Sequence, residues 1–150
     1  MSEEHNDNER IFSLTEAERT RREVEPLLLE AMENRRRQSE LGDALGELVS
    51  RIMVMGGIQI SLEKAAVVRR EHDKLTALIK ATLEKIESTG CVVKDLDAGL
   101  LDFPARISGE EVYLCWRVGE DRIRFYHGIH EGFAGRKPLD PRDKDSGTVH

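Results

Sequence analysis

The side chains best suited to chemistry lie in a glycine-rich stretch near the carboxyl-terminal end of the chain. His127, His130 and Glu131 offer two ring nitrogens and a carboxylate within five residues, and these are ligand types for a divalent metal ion. Asp102 or Asp95 could complete the ligand set. The spacing does not specify a metal, because the two histidines share a face only in a helix, which the glycines disfavour. We therefore favour a structural role for His127 at the edge of a sheet core, with a divalent metal as the alternative.

Two other kinds of catalysis can be considered from the residue types. A thiolate pair would need Cys115 beside His127, but alternation along the predicted strands places Cys115 outward and His127 inward. Carboxylates could perform acid–base work. Asp97, however, is typical of a turn, and Asp102 has Arg117 as its predicted cross-strand partner. Structural roles are the favoured interpretation of both carboxylates.

The loop that ends at Arg136 could bind an anion. Its two glycines could present backbone amides, and the arginine fork could bind a carboxylate or phosphate. The loop lacks the strand–loop–helix setting of a phosphate loop. We expect a tight loop that pins Phe133 onto the core, and anion binding is the alternative.

Composition narrows the class of protein. The chain of 150 residues has a net charge of −6 and is 35% charged, which argues against a general nucleic-acid binder. The Arg35–Arg37 triplet is interpreted as a solvated helix face. No run approaches the ~20 apolar residues of a membrane span, and the polar amino terminus does not resemble a signal peptide. Two cysteines without CxxC spacing favour a reducing cytoplasm.

The first two-thirds of the chain predicts a long antiparallel helical hairpin over residues 13–90. Ser13 and Glu16 have the spacing of a capping box, and apolar residues then recur about every 3.5 positions, which is typical of a coiled coil. Pro26 predicts a kink or a break. Gly56 and Gly57 mark the reversal, and Gly90 ends the second helix in a left-handed conformation.

This hairpin predicts self-association. Its first helix would be roughly 50 Å long, whereas a sheet of some 40 residues cannot cover apolar stripes of that length. Residues 33–40 contain no apolar side chain. We therefore expect the far end of the hairpin to be buried against a second copy, as a four-helix homodimer.

The last third of the chain predicts a small antiparallel meander of three to four strands, near 91–96, 100–107, 111–118 and 121–128. We assume that Ile107 opposes Val112, and that register sets Asp102 opposite Arg117. Pro104 implies a local strand edge or a bulge. The predicted organisation is a disordered amino terminus (1–10), a single α+β domain (11–136, with meander and loop at 91–136) and a flexible tail (137–150).

Several segments together resemble a bacterial and archaeal family catalogued as domain of unknown function 2203. They are IFSLTEA from Ile11, VKDL from Val93, GLLDFPA from Gly99, EVYLCWR from Glu111, Gly119-Glu120, His127 and GFAGR from Gly132. The resemblance covers about residues 11 to 139 and implies no established activity. It marks the following motif positions: Lys94, Asp95, Asp102, Cys115, Trp116, Glu120, His127 and Arg136.

This chain departs from the family pattern in two places. The family usually has a leucine-proline pair near Arg21 and Arg22, so the shape of the opening helix is in question. It also has a tryptophan where this chain has Tyr126, an aromatic exchange that suits a packing or stacking role.

The function predicted from these observations is a small cytoplasmic, non-catalytic protein that forms homodimers and acts as a scaffold or partner-binding module. It is expected to bind neither nucleic acid nor a membrane, and to need no cofactor. The alternative is a metal- or anion-binding protein, or a hydrolase, with its site at the junction of sheet and loop. The candidate ligand- or anion-binding residues are Lys94, Asp95, Asp102, Arg117, Glu120 and Arg136. The candidate metal ligands are His127, His130 and Glu131.

Overall fold

The computed structural model describes residues 10–55 and 59–139, with side chains described from residue 62 onward in the second segment. The predicted reversal at Gly56 and Gly57 lies outside these residues, as do the first nine residues and those after 139. Two helices come first, α1 (Leu14–Met55) and α2 (Gln59–Glu87). Five strands follow, and a short 3-10 helix precedes the last of them. The predicted α+β fold is confirmed.

The start of α1 follows from a local signal. The Ser13 backbone N–H donates to Glu16 Oε1 at 3.0 Å, and the Glu16 N–H donates to Ser13 Oγ at 3.0 Å. Phe12, just before the cap, donates its N–H to the Pro104 carbonyl at 2.7 Å, and its ring meets Phe103 edge-on. The capping box is therefore confirmed, and the residue before it ties the helix to the sheet.

Neither Pro26 nor the arginine pair at 21–22 interrupts the first helix. α1 continues through Pro26 for 42 residues, a length of about 63 Å. Packing against α2 and the sheet offsets the lost backbone hydrogen bond. The break expected at Pro26 is therefore wrong. α2 ends as predicted, since Gly90 has φ 103° and a Cβ there would lie 2.9 Å from Arg10.

The strands are β1 (Val92–Asp95), β2 (Leu100–Ile107), β3 (Glu110–Arg117), β4 (Phe125–Gly128) and β5 (Lys137–Pro138). They form one antiparallel sheet in sequence order. The meander therefore has one strand more than expected, because Lys137–Pro138, placed in the tail by the sequence, pairs with β4. Pairing of β2 with β1 ends at Asp102, so no strand pairs with β2 at Pro104 on that side. The Pro104 carbonyl accepts the Phe12 N–H there, and the missing N–H of the proline breaks no ladder bond.

The turn between β2 and β3 corrects the predicted register. Ile107 pairs with Glu110, so Ser108 and Gly109 form a two-residue loop, and both have positive φ (53° and 84°). This is the geometry of a type I′ hairpin. The register is shifted by two residues from the expected one, and Asp102 faces Cys115 instead of Arg117. The predicted Asp102–Arg117 pair is wrong.

The fourth strand begins later than expected because α1 binds the chain that precedes it. Glu18 Oε2 accepts the Ile123 N–H at 2.8 Å, and Arg21 donates to the Asp121 carbonyl at 3.1 Å. These contacts satisfy backbone groups that a longer β4 would have paired with β3. As a result, β4 starts at Phe125, with His127 opposite Tyr113.

This pairing reverses the predicted orientation of His127. Paired residues share a face of the sheet, so His127 lies on the face of Tyr113 and Cys115. Tyr126 instead packs against the core between sheet and helices. The inward orientation predicted for His127 is wrong, as expected when a strand is displaced by one residue.

The core lies between one face of the sheet and the first half of the hairpin. Trp116, Phe103 and Leu101 from the sheet are buried there, together with Leu28 from α1 and Ile86 from α2. The buried residues of α1 all lie between Leu14 and Ala31. The core therefore ends about halfway along the hairpin.

Candidate functional site

Three polar or reactive side chains are buried on the face of the sheet that points away from the helices. They are Asp102 from β2, Cys115 from β3 and His127 from β4, each no more than 2% exposed. Asp102 and Cys115 are a cross-strand pair, and His127 lies diagonally across from Cys115. One ligand-type atom from each residue lies within 4.8 Å of the other two. Three adjacent strands thus build one compact cluster, called the polar cluster below.

The hydrogen bonds of His127 fix where its protons lie. Nδ1 is 2.8 Å from the Gly128 carbonyl, which can only accept, so Nδ1 carries a hydrogen and donates. Nε2 is 3.1 and 3.2 Å from the two carboxylate oxygens of Asp102. A hydrogen bond therefore joins Nε2 to the carboxyl group, with the hydrogen on one of the two partners.

Burial sets the ionisation of the other two groups. It raises the pKa of Asp102 above its ordinary value, and the nearby His127 opposes the shift. Burial, followed by the charge of Asp102, raises the pKa of the Cys115 thiol to about 12. The thiol is therefore protonated at neutral pH, and a free thiolate nucleophile is disfavoured there. The sequence interpretation also disfavoured a Cys115–His127 pair, but its reason, opposite faces, is wrong.

A second polar pair lies beside this cluster. Arg136 Nη2 donates to both carboxylate oxygens of Glu120, at 2.9 and 2.8 Å. The guanidinium stacks on Phe125 at 4.0 Å and on Phe133 at 4.5 Å from the ring centroids. Glu120 Oε1 also accepts the Arg117 backbone N–H at 2.8 Å. The loop that ends at Arg136 is thereby held against the sheet. Phe133 does not belong to the hydrophobic core cluster and instead contacts Arg117 and Arg136, so its expected packing onto the core is wrong.

Arg136 has one polar group without a partner. Its Nε is buried and makes no hydrogen bond among the described residues. The charge of the guanidinium is nevertheless paired with Glu120, and the side chain is 13% exposed. The positive charge that an anion would need is thus already paired, through Nη2, with a carboxylate of the chain itself.

The remaining candidate residues lie at the rim of the sheet. Lys94, Asp95 and Arg117 are exposed. Asp95 Oδ1 accepts the Ala98 N–H at 3.0 Å, which closes the turn after β1. The positive charge of Lys94 acts on Asp102. Of the ligand-binding candidates, the structure joins Glu120 to Arg136, buries Asp102 in the cluster and leaves the other three exposed.

The three metal candidates do not occupy one place in this fold. His127 is buried, whereas His130 and Glu131 are exposed. Glu131 Oε1 accepts the Gly128 N–H at 2.7 Å and faces Lys137 Nζ at 3.3 Å. The donated N–H lowers the pKa of Glu131. Glu131 therefore closes the turn after β4, next to the carbonyl that binds His127.

Two large clefts of the described surface lie away from the polar cluster. One, of about 760 Å³, runs between the start of α1 and the β4–β5 edge and includes Arg22, Arg122 and Leu139. The other, of about 580 Å³, lies beside Met32 and Leu96. Neither is lined by a member of the cluster. Because each side chain of the cluster is at most 2% exposed, the cluster suits a proton or a metal ion better than a bulky substrate.

Sequence reasoning missed Cys115 as a neighbour of Asp102 and His127. The signal for the first contact was the Ser108-Gly109 dipeptide, since a two-residue hairpin sets Asp102 opposite Cys115. It also missed Arg21, a buried arginine that binds Glu18 and Glu25. No local signal distinguishes Arg21 from its exposed neighbours.

These features define an α+β protein in which a long helical hairpin carries a five-stranded antiparallel sheet with a buried Asp–Cys–His cluster. The sequence model of the family described as "Uncharacterized conserved protein (DUF2203)" matches residues 10–139, and the chain belongs to this family. The resemblance noted from the sequence is confirmed. No curated protein and no solved structure matches the chain significantly. Among the described residues, no helix is both long and apolar enough to cross a membrane.

Proposed function

We propose that this protein is a non-catalytic, self-associating module in which the outer part of the hairpin pairs with a second copy. That part, called the distal hairpin, comprises residues 33–55 of α1 and 62–74 of α2. The observation that carries the proposal is that none of its described residues is buried. Helices of this length are rarely stable without a buried stripe, and a second hairpin would supply the missing contacts.

The distal hairpin has the composition of an interface. Leu41, Leu45, Leu48 and Ile52 are half-buried along its seam. Six of the ten exposed large apolar side chains among the described residues also lie there. They are Val49, Met53, Val54, Met55, Leu62 and Val67. Such a concentration of apolar surface on one part of a protein typically marks an interaction site.

The charge of the distal hairpin favours a second copy of the chain as its binding partner. The distal hairpin contains seven acidic and eight basic residues, although the whole chain has a net charge of −6. A nearly neutral surface with both signs interspersed is not repelled by an identical surface, and a two-fold axis allows each charge to meet its opposite. Four helices packed in this way would form the bundle predicted from the sequence.

The arginine triplet also supports a protein partner over nucleic acid. Arg35 Nε lies 3.4 Å from Asp97, and Arg36 pairs with Glu33 and Glu40. Arginines paired with carboxylates are poorly available for phosphates. Both cysteines are buried free thiols, which supports a reducing compartment such as the cytoplasm.

Sedimentation velocity over a range of concentrations tests the proposal. We expect a species of twice the 17.0 kDa chain mass, and we expect Val54→Glu combined with Val67→Glu to convert it to a monomer. The matched control is Val92→Glu combined with Ile129→Glu, which makes the same changes at exposed apolar residues of the sheet region and leaves the dimer intact. A wild-type monomer at every concentration, or a dimer lost only in the control, would refute the proposal.

A further inference from the structure

The polar cluster combines three kinds of ligand that the sequence analysis did not bring together. Asp102 provides a carboxylate, Cys115 a thiol and His127 an imidazole, and their ligand atoms lie within 4.8 Å of one another. Each residue comes from a different strand, so the sheet holds all three in place. A carboxylate, a thiolate and an imidazole from three rigid elements form the kind of set that binds a tetrahedral metal ion.

The charges of the cluster also require an explanation. Two acidic groups, Asp102 and Cys115, are a cross-strand pair and each is at most 2% exposed. The nearest arginine, Arg136, is committed to Glu120, and Lys94 is exposed. A divalent cation would displace to solvent the thiol proton and the proton that lies between Asp102 and His127. It would then balance one carboxylate and one thiolate, which removes the cost of burying either charge alone.

The hydrogen bond made by Nδ1 of His127 leaves Nε2 as the nitrogen that can bind a metal. Nδ1 donates to the Gly128 carbonyl at 2.8 Å, so the lone pair of the neutral ring lies on Nε2, which points to Asp102. Histidines that ligate metals usually donate their other ring N–H to a carbonyl or carboxylate in this way. Gly128 is fixed in turn by Glu131, which accepts its N–H at 2.7 Å.

We propose that Asp102, Cys115 and His127 bind one divalent transition-metal ion of the zinc class. The thiolate and the imidazole favour zinc, cobalt or ferrous iron over magnesium and calcium, which prefer oxygen ligands alone. Three protein ligands leave a fourth position for water or a small ligand.

The spacing of Asp102 and His127 agrees with such an ion, and the Cys115 sulfur lies within 4.8 Å of both donors. Ligands at about 2.0–2.3 Å from zinc are separated by roughly 3.3–3.6 Å in a tetrahedron. Nε2 is 3.1 and 3.2 Å from the two oxygens of Asp102, so this pair needs to open by only a few tenths of an ångström. The metal site is independent of dimer formation, because its residues lie on the sheet and not on the distal hairpin.

Cobalt titration of the full chain, expressed without a histidine tag and stripped with a chelator, tests the proposal. We expect one equivalent of Co²⁺ to produce a thiolate-to-cobalt charge-transfer band and the visible absorption of tetrahedral cobalt. Zn²⁺ should displace both. Cys115→Ser should abolish the charge-transfer band, and His127→Gln should weaken binding more than tenfold. Failure to observe a cobalt band in the wild type would overturn the proposal.

The chain offers a matched control for each variant. Cys91 is a second free cysteine, buried to the same extent as Cys115, and His130 is an exposed histidine three residues from His127. Cys91→Ser and His130→Gln should leave the cobalt spectrum and the affinity unchanged. A charge-transfer band that disappears with Cys91→Ser, or affinity lost with His130→Gln, would assign the metal to other residues and contradict the proposed site.

X-ray absorption of the zinc-loaded wild type needs no variant, and so it decides the question even if Cys115→Ser does not fold. We expect one sulfur near 2.3 Å and nitrogen or oxygen ligands near 2.0 Å. A first shell without sulfur would overturn the proposal, and the polar cluster would then be a hydrogen-bonded group.

Discussion

The two ends of the hairpin share the same apolar periodicity but differ in how deeply the apolar residues are buried. Near the sheet, Val24, Leu28 and Ala31 are at most 1% exposed. In the distal hairpin, Leu41, Leu45 and Leu48 continue the apolar stripe of the same helix, yet each stays half-exposed. The difference lies in the partner. Val24 and Leu28 belong to the core cluster that also contains Phe103 and Trp116 of the sheet, whereas no described residue of the distal hairpin belongs to that cluster.

The comparison shows that hydrophobic periodicity identifies the apolar stripe of a helix but does not identify the element that packs against it. One neighbouring helix hides only part of an apolar stripe, and a second layer is needed to complete burial. The Gln38 side chain donates to Thr76 Oγ1 across the hairpin at 2.6 Å, so the helices remain paired beyond the sheet. The distal hairpin is thus an ordered surface whose second layer is missing from the single chain.

The largest expected difference in stability is between two leucine-to-alanine variants of α1, one near the sheet and one in the distal hairpin. Leu28→Ala should lower the free energy of unfolding by about 2–5 kcal/mol, because it opens a cavity in a close-packed core. Leu45→Ala should cost roughly 1 kcal/mol in dilute protein, because its side chain is only partly buried in the single chain. Chemical denaturation at low protein concentration measures both. Equal losses would show that the distal hairpin is covered within one chain.

A smaller effect is expected at the pair that holds the loop against the sheet. Arg136→Lys should cost about 2 kcal/mol, because lysine lacks the planar guanidinium that stacks on Phe125 and Phe133 while it bonds Glu120. The matched control is Arg106→Lys, whose partner Glu111 lies 3.7 Å away on the surface, with an expected change within about 0.5 kcal/mol. Thermal unfolding compares the two variants. A larger loss for Arg106→Lys would contradict the role assigned to the loop.

The smallest effect is expected at Glu131, which closes the turn at Gly128, the residue whose carbonyl binds His127. The Gly128 N–H lowers the pKa of Glu131 below its ordinary 4.5. The carboxylate therefore stabilises the fold fully above that value, and its contribution is lost as pH falls through the lowered pKa. The gap in Tm between wild type and Glu131→Gln should be largest near neutral pH and should close in acid. A gap that does not change with pH would show that this hydrogen bond is absent.

Local signals in the sequence predicted the helix ends. The capping box of Ser13 and Glu16 and the left-handed Gly90 are confirmed because each depends on residues close in sequence. The meander was likewise predicted from alternation. The register was wrong by two residues, since Ser108-Gly109 was treated as part of a longer loop when it forms the whole turn.

The candidate site could be predicted only in part, because its geometry depends on contacts distant in sequence. Glu18 and Arg21, on the first helix, fix the chain around Ile123 and delay the start of β4. That delay turns His127 toward Asp102 and Cys115. The choice of His127 and Asp102 as site residues came from the sequence, but their contact with Cys115 required the three-dimensional structure.

Hydrogen exchange at two protein concentrations, one well below and one well above the midpoint of association, tests the central claim most directly. Amides of residues 33–55 and 62–74 should exchange rapidly in dilute protein and slow markedly in concentrated protein, while those of β2 and β3 stay equally protected in both. Protection of the distal hairpin that is already high in dilute protein and does not change with concentration would contradict the account.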